Sequence, residues 1–154
     1  MAKFPTDVER SVTVKAPLAR AYEFLADVVG SSACIPGIES CTEVGPDTYR
    51  FVYRSVSTGP VSMAVRYTTR YRLNGKDTIE FESIAADGDN TDVTGTIRLD
   101  PAGADRTRVT LRQSLAPDTP VPRLVQGLIR SFVEKEAAHA VERYLENVKT
   151  ALEA

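Results

Sequence analysis

Residues 119–152 read TPVPRLVQGLIRSFVEKEAAHAVERYLENVKTAL, and the apolar spacing of this stretch decides the fold. Pro117-Asp118-Thr119-Pro120 offers a turn, an Asp or Thr cap and a proline at the first helical position. Pro122 still falls in the tolerant first turn. Leu124, Val125, Leu128, Ile129, Phe132 and Val133 then make a broad apolar face, continued by Ala140, Val141, Tyr144, Leu145, Val148 and Leu152. The spacing predicts one long amphipathic helix that ends the chain. Glu136 and His139 interrupt its stripe. The four-residue step from Phe132 lands on Glu136 and then on Ala140, which puts Glu136 near the seam between this helix and whatever it covers.

Upstream, the punctuation is that of strands. Residues 8–14 alternate as a strand should, and Lys15-Ala16-Pro17 then opens a helix whose inward stripe is Leu18, Ala21, Tyr22 and Leu25. That helix runs out near Asp27. A second short helical piece over 28–35 is stopped by Pro36-Gly37. Strands are predicted at 42–44, 48–57, 61–73, 78–84, 92–99 and 106–115. They are separated by Gly45-Pro46-Asp47, Gly59-Pro60, Asn74-Gly75, the acidic turn Asp87-Gly88-Asp89-Asn90 and Pro101-Ala102-Gly103. The fold class is therefore α+β: a curved antiparallel sheet of about seven strands wrapped around a long C-terminal helix, with two short helices after the first strand, all in a single domain over 1–154.

Period-two alternation separates the faces. Val61, Met63, Val65, Tyr67, Thr69, Tyr71 and Leu73 share one face and must meet the helix, while Arg66, Thr68, Arg70 and Arg72 share the other. Tyr49, Phe51 and Tyr53 fall on the helix side, as do Ile79, Phe81 and Ser83. Val93, Gly95, Ile97 and Leu99 complete it with Val109, Leu111, Gln113 and Leu115. For the Asn74-Gly75 hairpin, parity requires a three-residue loop, Leu73-Asn74-Gly75, with Gly75 left-handed. That register sets Tyr67 opposite Phe81 and Arg66 opposite Glu82.

Composition excludes several classes. A charge of −2 and a pI near 5.5 give no pull toward nucleic acid or anionic lipid, although 14 of the 19 basic residues are arginine. Their interleaving with glutamates reads as cross-strand ion pairing on a solvent face, so no nucleic-acid partner is expected. No apolar run is long enough for a transmembrane segment and residues 1–13 lack a signal-peptide block, so a cytoplasmic protein is expected. Cys34 and Cys41 lack the tight spacing of redox or zinc sites and read as reduced thiols; neither a metal nor a cofactor is expected. In 87–92 the glycine is misplaced for a calcium loop, and Arg98 stands where a bidentate Glu is required.

These elements in this order resemble the helix-grip domains of the START and birch-pollen-allergen-like superfamily, SRPBCC, which includes polyketide cyclase-like proteins. Ala33-Cys34-Ile35-Pro36-Gly37, Asp47-Thr48-Tyr49 and Gly59-Pro60-Val61 are similar to the carbon-monoxide-dehydrogenase G-like group. The resemblance implies an apolar cavity for a lipid, quinone or polyketide-like ligand, and an oxidoreductase as a candidate partner.

The residues themselves allow the same chamber or a filled core. Gly95 leaves room on an inward face, Met63 is an adaptable lining residue, and Arg10, Thr69, Ser83, Gln113 and the Tyr67 and Tyr71 hydroxyls are polar inward positions. The candidate ligand contacts are Arg10, Tyr49, Phe51, Tyr53, Met63, Val65, Tyr67, Thr69, Tyr71, Phe81, Ser83, Gly95, Gln113, Leu128, Phe132 and Glu136. Arg10 is either buried against Glu136 or sits at the sheet's end with its head in water. His139 (one turn from Glu136), Glu136 itself or a tyrosine is the candidate acid or base if the protein is a cyclase or dehydratase. The reading favours a binder of a small hydrophobic molecule over an enzyme, and an edge strand leaves a homodimer open.

Overall fold

The sheet is organised by its longest strand, β10 (Thr107–Thr119), which lies between the two ends of the chain's N-terminal run and the strand before it. The computed structural model describes residues 2–3, 6–54, 56–58, 61–63, 65–119 and 126–154, with side chains for 6–54, 65–116, 130–131 and 134–154. β1 (Ala2–Lys3) pairs with the far end of β10, and β2 (Thr6–Val14) pairs with its first nine residues. Across the other edge of β10 come β9 (Thr91–Pro101), β8 (Thr78–Ser83), β7 (Arg66–Leu73), β4 (Thr48–Tyr53) and β3 (Ile38–Gly45), all antiparallel. Taking β1 and β2 as one interrupted strand, this is the expected seven-stranded sheet.

Between β2 and β3 the chain forms α1 (Leu18–Ala26), α2 (Val28–Ser31) and a 3-10 turn (Ser32–Cys34). Pro17 stands at the N-cap of α1 with extended backbone. Ala21 and Leu25 are buried, as the stripe requires. Asp27 accepts a hydrogen bond from the Gly30 N–H (3.1 Å), which restarts the helix as α2. The bent pair is anchored to a distant hairpin by Tyr22, whose hydroxyl accepts from the Gly75 N–H (2.7 Å).

Three expectations change. Strands predicted as continuous over 48–57 and 61–73 are each divided: β5 (Val56–Thr58) and β6 (Val61–Met63) form a separate two-stranded ribbon. Alternation cannot reveal this, because a ribbon and a sheet share the same period. The β7–β8 hairpin keeps its parity and its left-handed Gly75 (φ 75°), but Tyr71, not Tyr67, lies opposite Phe81, and Arg70, not Arg66, lies opposite Glu82. The loop is longer because the Asn74 Oδ1 accepts from the backbone N–H groups of Lys76, Asp77 and Thr78 at 2.9–3.0 Å, holding a wider turn in place. Finally, 117–119 belong to β10 and do not turn into a helix cap. Pro120 and Pro122 lie outside the described residues.

The last helix is α3 (Gln126–Glu153). Val141, Leu145, Val148 and Leu152 recur on one face and are at most 2% exposed, in one hydrophobic core with Val14, Leu99 and Val109 of the sheet. The expected contributions of Leu124, Val125, Leu128, Ile129, Phe132 and Val133 lie outside the described side chains. Polar ties fix the helix at both sides: Asn147 Nδ2 donates to the Cys34 carbonyl (2.9 Å), and the Glu153 carboxylate accepts from the Lys15 N–H (2.9 Å). No helix among the described residues is long and apolar enough to cross a membrane.

On the opposite face the arginines meet carboxylates, as expected. Arg72 pairs with Glu80 at 3.3 Å and Arg50 with Asp89 at 3.4 Å. Arg66 is engaged differently: its Nε donates to the Gly88 carbonyl (2.8 Å) and its N–H to the Asn90 side chain (2.9 Å), pinning the acidic 87–90 turn over β7. Cys34 and Cys41 are free thiols.

Candidate functional site

Where α3 crosses the sheet, a cavity of about 80 Å³ remains. Its floor is an aromatic strip produced by register: Phe51 of β4 lies opposite Tyr67 of β7, and Tyr71 lies opposite Phe81 of β8. Phe51 stacks on Tyr67 (centroids 5.1 Å apart) and Tyr71 on Phe81 (5.5 Å), while Tyr49 meets Tyr71 edge-on at 5.5 Å. Tyr53, Ile97, Leu111 and Gln113 complete the sheet side. Ala140, Val141 and Tyr144 of α3 form the roof, and Ile35-Pro36 close one wall.

Polar atoms in this lining are few and neutral. The Tyr53 and Tyr67 hydroxyls are 2.7 Å apart and hydrogen-bonded. Burial disfavours the phenolate at each ring, pushing Tyr53 up to about 12 and Tyr67, Tyr71 and Tyr144 also above the ordinary phenol value. At neutral pH all four therefore present O–H groups. The Gln113 carboxamide adds a donor and an acceptor. Among the described residues no Arg, Lys, His, Asp or Glu lines the cavity. Burial also raises the Cys34 and Cys41 thiols, with the Ser32 hydroxyl partly offsetting the shift at Cys41.

Six of the candidate contacts meet at this cavity: Phe51, Tyr53, Tyr67, Tyr71, Phe81 and Gln113. Others are drawn elsewhere. Arg10 is exposed and pairs with Glu142 at 3.2 Å, so its head is in water and Glu136 is not its partner. Glu136 and His139 are exposed on α3 and face away from the lining. The space expected at Gly95 is taken by Phe81: a Cβ there would stand 2.5 Å from that ring and 2.6 Å from the Arg112 carbonyl oxygen. Ser83 is held by the sheet, donating to the Val93 carbonyl (3.0 Å) and accepting its N–H (2.6 Å). Thr69 is fully buried and Tyr49 and Val65 half-buried, outside the lining. Met63, Leu128 and Phe132 lie outside the described side chains.

Ile35, Pro36, Ile97, Leu111, Ala140, Val141 and Tyr144 line the cavity without having been singled out as contacts. Helical spacing carried a signal for the last three, since Ala140, Val141 and Tyr144 share one stripe. For Ile35-Pro36 the signal was only a helix stop, and a stop does not say what it walls.

Comparisons with known proteins agree with this architecture. The family described as "Polyketide cyclase / dehydrase and lipid transport" matches residues 5–153. The ZhuI aromatase/cyclase from Streptomyces sp. R1128 superposes with a TM-score of 0.73 at 21% identity, covering 97% of this chain and 94% of that one. TTHA0849 from Thermus thermophilus gives 0.72 at 22% identity, covering 95% and 96%. A START superfamily protein from Mycobacterium smegmatis gives 0.71 at 17% identity, covering 96% and 97%. At such identities the likeness is one of fold. No curated protein matches the chain in sequence.

Proposed function

The chain belongs to the polyketide cyclase/dehydrase and lipid transport family, and on that footing we propose that it binds or carries a small hydrophobic molecule between the sheet and α3. The observation that carries this reading is the cavity itself, walled by aromatic and aliphatic side chains and interrupted only by phenol hydroxyls and one carboxamide among the described residues. Its volume of about 80 Å³ falls below the roughly 300–1,000 Å³ of pockets that hold drug-sized ligands. A guest of more than a few heavy atoms therefore enters by displacing α3 or turning Tyr144 aside.

Catalysis is the weaker reading for this chain. The two residues that sequence offered as acid and base, His139 and Glu136, are on the exposed side of α3. A reaction in the cavity would have to use tyrosines held in their neutral form. The oxidoreductase partner rests mainly on the run Ala33–Gly37, and that run also builds the 3-10 turn and the wall formed by Ile35 and Pro36.

Native mass spectrometry of the protein purified from its own source tests the proposal. A carrier retains a hydrophobic guest that is released on denaturation, and His139→Ala and Glu136→Gln leave its occupancy unchanged. A protein that comes through gentle purification empty, and takes up no member of a panel of apolar probes, overturns it.

A further inference from the structure

The neutral lining of the cavity sets a rule about what its occupant can be, and this inference rests on the binding role proposed above. Two phenols that hydrogen-bond to each other own two protons and use one between them. The Tyr53–Tyr67 pair, at 2.7 Å, therefore keeps one O–H to offer, whichever ring is the donor. Both rings line the cavity, and Tyr67 is only 5% exposed, so the pair borders a poorly hydrated space. A buried carboxylate needs a cation or several donors to replace its hydration, and among the described residues the lining holds no cationic side chain.

We propose that the cavity selects by charge: it takes uncharged ligands whose polar group is a carbonyl-type oxygen, received by the free hydroxyl of the Tyr53–Tyr67 pair, and rejects carboxylates built on the same skeleton. A ketone oxygen needs what the pair has left, a single donor. Burial disfavours the phenolate of both rings, which keeps that donor in place across the neutral range. An occupant with no oxygen leaves the hydroxyl without a partner, which weakens its binding relative to the ketone.

Three probes of nearly equal size separate these cases: acetophenone, benzoate and ethylbenzene, titrated at pH 7 against the full chain by calorimetry or ligand-observed NMR. Acetophenone should bind at least tenfold more tightly than benzoate and severalfold more tightly than ethylbenzene. The double variant Tyr53→Phe/Tyr67→Phe should lose about fivefold for acetophenone, the worth of one neutral hydrogen bond, and leave ethylbenzene unchanged. Thermal unfolding of the variant confirms that it is folded, and the wild-type comparison holds even where it is not. Benzoate binding as tightly as acetophenone overturns the charge rule while leaving the binding role intact. An acetophenone advantage that survives in the folded double variant overturns the assignment to this pair. Failure of all three probes to bind overturns this inference, and the binding role falls with it only where native mass spectrometry also finds no retained guest.

Discussion

Gly95 shows how much a single residue can mean in this fold. It sits mid-strand in β9, where glycine has nothing to pack, and the ring of Phe81 from the neighbouring strand covers it. Gly95→Ala would place a methyl 2.5 Å from the Phe81 ring and 2.6 Å from the Arg112 carbonyl oxygen. A ring can tilt away; a carbonyl in the β-ladder cannot. The substitution should cost roughly 1–3 kcal/mol of stability, the range for overpacking, measured by urea unfolding. Adding Phe81→Leu should not restore the loss, because the carbonyl contact remains; full recovery would show that the ring alone was the obstacle. Sequence identified Gly95 as small and inward, and both points hold. It could not show that the space was already filled, because a missing side chain in one strand says nothing about which neighbour leans over it. Arg10 is similar: its parity was legible, but the identity of its partner depends on the axial offset between β2 and α3, and no periodicity encodes an offset.

At the scale of elements, strand parity was legible among the described side chains and the register between strands was not. Tyr49, Phe51, Tyr53, Tyr67, Tyr71 and Phe81 form one aromatic strip across β4, β7 and β8, as alternation required, whereas the pairing within the strip shifted by the width of the Asn74 loop. The strip makes a prediction about alkaline pH. An unfolded phenol ionises near about 10. In the folded protein Tyr53 is pushed up to about 12, and Tyr67, Tyr71 and Tyr144 are raised in the same direction by burial. Between the two values the unfolded chain has released protons that the folded chain still holds, so alkali favours unfolding. Their contribution to stability is complete below about pH 10 and is lost as pH rises above it, through about 12 for Tyr53, with a slope of about 1.4 kcal/mol per pH unit for each such phenol. Phenolate absorbance followed together with circular dichroism checks this. These four phenols should appear as phenolate only as the β signal disappears. Ionisation of all of them near the ordinary value, with the fold intact, would mean that water reaches the strip freely.

For the molecule as a whole, the decisive relation is between the roof and the floor. That a long C-terminal helix covers the sheet follows from its apolar stripe, yet its position along the sheet does not: Arg10 meets Glu142, six residues and about 9 Å of helix beyond the expected Glu136. The offset carries Glu136 and His139 past the cavity and brings Ala140, Val141 and Tyr144 over it. Ala140 is then the point where the needs of folding and of binding separate. Its methyl borders about 80 Å³ of unfilled space, and Ala140→Leu adds three carbons there. Each buried methylene contributes about 0.8 kcal/mol, so the empty variant should be as stable as the parent or up to about 2 kcal/mol more stable, depending on how much strain the larger side chain meets. The same carbons occupy the volume a guest requires. Native mass spectrometry of Ala140→Leu should therefore show little or no retained guest in a protein whose melting temperature is unchanged or raised, since a cavity kept open for a ligand is stability withheld from the fold. Retention of the guest at the parent's occupancy would place binding elsewhere on the molecule. A marked loss of stability would show instead that α3 and the strip already touch, leaving a filled core where the grip was read.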